Sequence, residues 1–250
     1  MKENSQEAIL QTLQTLKLPY IRDEALNLAK EAANKQWSHL GFLQKLLEGE
    51  LLQRQDRAIR RSIKNARFPV IKTLEQFRFD WPKKINRMQV KNLFRLGFIG
   101  EKGNVLFLGQ PGLGKTHLAI ALGYAACLQG HRVLFANAVD IINTLSAAQA
   151  HNRLKAELKK YLSPQLLVID ELGYLPIDQN GADLLFQVIS QRYEQGSIIL
   201  TTNKPFKQWA SIFNNDSTIA SAVLDRLLHH AETVPIQGKS YRMKDNIDET

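Results

Sequence analysis

Apolar residues recur at helical spacing through the first 67 residues, and the pattern then changes character. Leu10, Leu13, Leu16 and Leu18 lead up to Pro19, and Ala25, Leu28 and Ala32 repeat at three and four. Ser38 stands where a helix cap is needed, ahead of Leu40, Phe42, Leu43, Leu46 and Leu47. A last helix is expected over about 50–66, with Leu52, Ile59, Ile63 and Ala66 on one face, and Phe68-Pro69 ends it. Residues 1–67 are therefore expected to form an N-terminal all-α domain, and 68–250 a second domain of different build.

In that second part, short β-rich apolar runs alternate with helical patterns. Asn104–Leu108, Arg132–Ala136, Gln165–Ile169 and Ser197–Thr202 read as strands, and Glu232–Ile236 as a weaker fifth. Helical stretches at 115–128, 138–161 (with a break), 181–195 and 217–230 separate them. Near-continuous apolar strands alternating with helices predict an α/β fold, a five-stranded parallel sheet flanked by helices.

Composition narrows the class. A chain of 250 residues buries enough surface to need no covalent staple. Its one cysteine, Cys127, has no intrachain partner, which excludes a disulfide scaffold and a cysteine-rich zinc fold. Set beside Ala125 and Ala126 in a helical run, Cys127 reads as a buried residue. His229 and His230 are adjacent on an expected helix, so they should face apart, with no metal partner at i+4. The start of the chain lacks the pattern of a signal peptide, and the longest nearly apolar stretch, Leu118 to Leu128, is too short to span a bilayer. A cytoplasmic location, with no membrane partner, is the expectation.

Charge is localised. The net charge is +9, but Arg54 to Lys102 holds fourteen lysines and arginines against four acids, a balance of +10, and the rest sums to −1. Within this stretch Arg54, Arg57, Arg60, Arg61, Lys64 and Arg67 form a basic helix whose exposed face can neutralise several phosphates of a nucleic acid. Arg78, Lys83, Lys84, Arg87 and Lys91 could extend the track. Phe77, Phe79 and Trp81 lie among them, suited either to stacking on a base or to core packing.

The chemistry is sharper still. Gly109-Gln110-Pro111-Gly112-Leu113-Gly114-Lys115-Thr116 satisfies G-x-x-x-x-G-K-[ST] in full, between an expected strand and an expected helix beginning near His117. The glycines let the backbone approach a phosphate closely, and amides through His117 point at it with the helix dipole behind them. Lys115 would bridge the β- and γ-phosphates of ATP, and the Thr116 hydroxyl would ligate Mg²⁺. Leu166 to Ile169 then runs into Asp170-Glu171. Asp170, at a strand's carboxyl end, can hold the Mg²⁺ shell, and Glu171 can act as general base toward an attacking water. If the Ser197–Thr202 strand lies between these two strands, Asn203 reaches the γ-phosphate and orients that water.

Taken together, these residues resemble the AAA+ ATPases, and within them the DnaC/IstB group of helicase loaders and transposition helper proteins, the IstB type above all. The likeness is carried by Gly109–Ala119, Asp170–Tyr174, Gln191–Tyr193, Thr201–Phe206 with Trp209, Asp225–His229 and Gly238–Lys244. It implies an ATPase with Asn203 as sensor and Arg226 as an arginine finger that enters a neighbouring subunit's site, hence a homo-oligomer with shared ATP sites. It further implies duplex DNA bound through its backbone and a transposase as partner. The helical lid common in AAA+ proteins is reduced here to a vestige, since few residues follow Ile236. Arg242 is a candidate for the lid's second sensor, or for packing or DNA contact. A replicative-helicase loader is the alternative within this fold; a small-molecule P-loop kinase and a non-hydrolysing DNA-binding scaffold are the alternatives outside it.

Overall fold

The structure, a computed structural model, describes residues 2–243; Lys244 and the rest of the expected second domain's last residues lie outside that range. The chain divides into two compact units, Met1–Arg61 and Ser62–Thr250.

The first unit is helical: α1 (Lys2–Thr15), α2 (Pro19–Asn34) and most of α3 (His39–Ala66). Ser38 caps α3 as expected, its Oγ accepting the Gly41 amide at 3.1 Å. The separate helix expected from residue 50 does not exist, because α3 runs unbroken through that point. Gly49 interrupts nothing and instead makes room, since a Cβ there would fall 1.9 Å from the Tyr20 ring of α2. One turn on, Glu50 is 3% exposed and accepts the Tyr20 and Ile21 amides at 2.9 and 3.3 Å, so a carboxylate closes the first turn of α2. No helix among the described residues is long and apolar enough to cross a membrane.

The second unit begins within α3, whose Ile63 and Ala66 pack into its core. It continues through α4 (Arg87–Leu93), α5 (Gly97–Gly100), β1 (Asn104–Leu108), α6 (Lys115–Leu128), β2 (Val133–Asn137), α7 (Ala138–Ala150) and α8 (Leu154–Leu162). After these come β3 (Leu166–Leu172), α9 (Gln179–Arg192), β4 (Ser197–Thr202), α10 (Ser217–Leu228) and β5 (Ala231–Pro235). The five strands form one all-parallel sheet in the order β2-β3-β4-β1-β5.

Alternation within the strands builds two cores. Leu106, Leu167, Ile169, Ile198 and Leu200 face one layer with α7, α8, α9 and α10. Val105, Phe107, Leu166, Val168 and Ile199 face the other, with α4, α5 and α6. Burial on both faces is what the unbroken apolar runs required. The break expected within 138–161 is real, at His151–Arg153. Strand β3 extends three residues beyond the expected end at Ile169, and those residues are Asp170, Glu171 and Leu172.

Candidate nucleotide site

Strand order decides the site. β4 lies between β1 and β3, so Leu108, Thr202 and Leu172 stand side by side at one carboxyl edge. The loop from Gly109 to Gly114 leaves β1 at that edge and turns into α6. Gly112 and Gly114 have φ of 78° and 86°, a region that only glycine enters without cost. A Cβ would strike Ser240 Oγ at 2.0 Å from Gly112, and Phe77 Cε2 at 2.6 Å from Gly114. The Gly109 amide binds Thr202 O at 3.2 Å, and Leu113 anchors the loop in the core. Gln110 and Pro111 stay on the loop's outer face.

Lys115 opens α6 and is 4% exposed. Its ammonium donates to Gln110 O at 2.9 Å and lies 5.9 Å from the centre of the Tyr174 ring. Burial lowers its pKa to about 8, against the pull of Asp170 and Glu171 upward; Arg242 adds to the lowering. Thr116 Oγ1 donates to Asp170 Oδ1 at 3.0 Å. That carboxylate also accepts the Thr201 hydroxyl at 2.5 Å. Burial pushes the Asp170 carboxyl up, while hydrogen bonds from Thr201, Thr116 and the Glu171 amide hold it down.

Glu171 occupies a left-handed conformation, φ 60°, where β3 bulges between Ile169 and Leu172 in its pairing with β4. The bulge lets its amide bind Thr201 Oγ1 at 3.0 Å and sets its side chain at the wall of the cavity. Strained backbone of this kind concentrates at functional sites. Asn203, just past β4, has a buried amide oxygen with no hydrogen-bond partner among the described residues. His117 binds Thr73 O at 2.9 Å and packs edge-on to Phe77, and burial lowers its pKa.

Lys115, Thr116, His117 and Glu171 face a cavity of about 550 Å³, whereas Asp170 and Asn203 are not among its lining residues. Lys115, Thr116 and Glu171 form its polar end, and Phe77, Trp81 and Tyr241 are its aromatic walls. Trp81 and Tyr241 meet edge to face at 5.5 Å, and the Trp81 indole donates to Lys239 O at 3.0 Å. The Tyr241 amide binds Gly112 O at 2.8 Å, so the segment after β5 is fastened directly onto the phosphate loop. The donor set fits a magnesium nucleotide: a glycine cradle, a buried ammonium, a hydroxyl–carboxylate pair and an orphaned acceptor.

A family described as IstB-like ATP binding protein matches residues 11–248. The chain belongs to this family. It is 43% identical over 233 residues to the "Insertion sequence IS21 putative ATP-binding protein" of Pseudomonas aeruginosa, covering 93% of this chain and 88% of that one. It is 41% identical over 239 residues to the corresponding IS5376 protein of Geobacillus stearothermophilus, covering 96% and 95%. Among solved structures it resembles the DnaC helicase loader, with a TM-score of 0.54 and 25% identity over 66% of this chain and 96% of that one. The replication initiator DnaA bound to AMPPCP and single-stranded DNA shares the fold, with a TM-score of 0.55 and 22% identity over 71% of this chain and 54% of that one. The second unit of this IstB-like chain is thus an AAA+ core, and the helical N-terminal region accompanies it.

Arg226, the expected arginine finger of the IstB-like chain, does not line the cavity. Arg226, near the end of α10, donates to Ala222 O at 2.9 Å and lies 5.0 Å from the centre of the Phe186 ring. The next residue's carbonyl accepts Asn104 Nδ2 at 3.0 Å, and Asn104 starts the strand that ends at the phosphate loop. Arg226 is therefore at the opposite end of the sheet from Lys115 of its own chain.

The basic helix is α3, which carries five of the six expected DNA-contacting residues; Arg67 follows its end with φ 59°, and all six are exposed. They are not equivalent. Arg54 and Arg57 pair with Glu50 at 3.1 and 3.5 Å, and Arg60 pairs with Asp56 at 2.8 Å. Among the described residues Arg61, Lys64 and Arg67 make no ion pair.

Thr201, Tyr174 and Ser240 also belong to the site, with no role evident from local sequence. All three fall within the motifs that carry the family likeness, so the signal was present. Their contacts span from 30 residues to more than a hundred of sequence, which spacing rules do not reach. Of the aromatics, Phe77 both packs on the core and lines the cavity, Trp81 lines the cavity, and Phe79 packs on the core.

Proposed function

We propose that this chain is an ATPase that self-assembles on duplex DNA and there recruits or activates a transposase. The observation that carries the reading is the cluster formed by Lys115, Thr116, Asp170 and Glu171 at one sheet edge, in a family of insertion-sequence ATP-binding proteins. Lys115 leaves Gln110 O to hold the β- and γ-phosphates. Thr116 Oγ1 and Asp170 would hold Mg²⁺, and the ion would supply charge neutralisation on the phosphates. Glu171 accepts the proton of the attacking water, and the free amide oxygen of Asn203 orients that water. Arg242, from the segment after β5, lies in the cavity wall and near enough to Lys115 to lower its pKa. Arg226 completes the site of a neighbouring copy.

DNA contact falls to α3, through phosphates and hence with little sequence preference. The transposase surface is assigned to residues 1–50, where Leu40, Leu43 and Leu47 are exposed along α3. A helicase-loading role is the second reading, favoured by the likeness to the DnaC helicase loader. Membership among insertion-sequence proteins supports transposition over it.

The deciding experiment measures ATP turnover and oligomer size together, with and without duplex DNA. ATP and DNA should jointly drive assembly, and Glu171→Gln should bind ATP and persist in the assembled, DNA-bound form. Rapid dissociation of that variant would remove Glu171 as the base. Assembly indifferent to ATP would remove the nucleotide switch.

A further inference from the structure

At the sheet end away from the nucleotide, we propose that Glu194, His229 and His230 form a site for a divalent transition metal of the zinc class. One ligand atom from each residue lies within 4.8 Å of the other two. Adjacency on a helix should have turned the two histidines apart. Instead α10 ends at Leu228, and beyond that end the two rings lie 4.1 Å apart, centre to centre. The third ligand comes from a different element, the turn joining α9 to β4.

That turn is closed by hydrogen bonds. The Gln195 and Gly196 amides both bind Arg192 O, at 2.9 and 3.0 Å, and Glu194, inside the loop so closed, has φ 57°. The Arg192 guanidinium, 1% exposed, donates to the carbonyls of Tyr161, Pro164 and Ser197 at 2.8, 2.9 and 2.7 Å. Tyr193, next to Glu194, places its hydroxyl 2.9 Å from His229 Nδ1 and orients that ring. Metal-binding histidines are ordinarily oriented through such a second hydrogen bond.

The ligand chemistry selects the ion. Two imidazoles and one carboxylate suit zinc, cobalt, nickel or copper, whereas magnesium and calcium take oxygen donors. All three side chains are exposed, so water completes the coordination. Donors around tetrahedral zinc stand about 3.3 Å apart, given bonds of roughly 2 Å. The side chains must therefore draw in from their present spacing, which solvent-exposed rotamers permit. Arg192, Arg226 and Lys102 are the nearby cations, and the buried Arg192 guanidinium is taken up by backbone carbonyls. Arg226 lies over the Phe186 ring, 5.0 Å from its centre, and lines the same pocket as Glu194 and His230. A bound ion would tie the end of α10 to the α9–β4 turn, three residues beyond Arg226.

The test uses the full-length chain without a histidine tag, stripped with a chelator. Zn²⁺ is titrated calorimetrically and Co²⁺ by visible absorption. One ion should bind per chain, Co²⁺ should show ligand-field bands, and excess Mg²⁺ should not compete. His229→Ala and His230→Ala should each weaken binding at least about tenfold, Tyr193→Phe less, and His151→Ala not at all. Should the alanine variants fail to fold, Zn²⁺ protection of His229 and His230 from diethylpyrocarbonate in the unmodified chain decides. Absence of stoichiometric binding, unchanged affinity in the folded alanine variants, or absence of protection would each overturn the proposal. ATP turnover enters none of these measurements, so the site stands or falls apart from the proposed function.

Discussion

The Thr201 hydroxyl donates to Asp170 Oδ1 at 2.5 Å, across the boundary between β4 and β3. Thr201 Oγ1 in turn accepts the Glu171 amide at 3.0 Å, so one side chain on the central strand positions both acids of the site. Thr201→Val keeps the shape and deletes both bonds. It should cost about 1–3 kcal/mol in urea unfolding, the penalty for leaving buried polar groups unpaired. ATP turnover should fall with it, and Thr201→Ser should restore both. A valine variant as stable and as active as the parent would show that Asp170 and Glu171 hold their places unaided.

Lys115 carries a pH prediction for the nucleotide-free chain. Its folded pKa of about 8 lies below the ordinary 10.5 because burial disfavours the ammonium. Asp170 and Glu171 face it and pull its pKa upward, with Arg242 and Tyr174 alongside. Between these two values the unfolded chain binds more protons than the folded one, so stability rises with pH from about 8 to 10.5. Below pH 8 the full penalty is present, about 3 kcal/mol at its upper limit. Lys115→Met should therefore stabilise the nucleotide-free chain at pH 7 and remove that part of the slope. Denaturant unfolding of the two proteins from pH 7 to 10, without nucleotide, checks it; a variant less stable at pH 7 contradicts it.

Arg226 is too far from its own phosphate loop to act there. Arg226→Ala should lower turnover by roughly 10³-fold while leaving ATP binding within a few fold. Mixing it with Lys115→Ala should recover activity that neither variant has alone, because each supplies what its neighbour lacks. Mixtures as inactive as their components would place the two residues' roles within one chain, against the geometry.

The ion pairs on α3 separate its basic residues into two groups. Replacing Arg61, Lys64 and Arg67 by alanine should reduce the slope of log K against log salt by about 2 to 3 in duplex DNA binding. Replacing Arg54 and Arg57 should change that slope less. It should destabilise the helical unit instead, since Glu50 would keep only its bonds to the Tyr20 and Ile21 amides. Fluorescence anisotropy across a salt series, with circular dichroism melts, distinguishes the two effects.

Much of the core could be read from the sequence because its signals are local. Asn104–Leu108, Lys115–Leu128 and Ser197–Thr202 match their expected limits, since apolar runs, a glycine loop and flanking polar residues all lie within one window. The unbroken α3 was not legible, because Gly49 looks like punctuation until Tyr20 is seen against it. The extension of β3 through Leu172 was equally hidden. Asp170 and Glu171 are polar, and only Thr116 and Thr201, distant in sequence, supply the hydroxyl groups that let them sit there. The aromatic wall needed Trp81 and Tyr241 together, 160 positions apart, and the meeting of His229 with His230 needed the helix to end between Leu228 and its successor.

The placement of the phosphate loop and Arg226 at opposite ends of one sheet fixes the symmetry of any assembly in which they cooperate. Two copies related by a twofold axis would bury like surfaces against each other and could not join unlike ends. Cooperation requires head-to-tail contact, which repeats without limit unless its rotation closes. In a closed ring every nucleotide site is completed by a neighbour. In an open array one terminal subunit always lacks its arginine, so turnover per chain grows with length, and fragmentation alone slows hydrolysis without changing a residue.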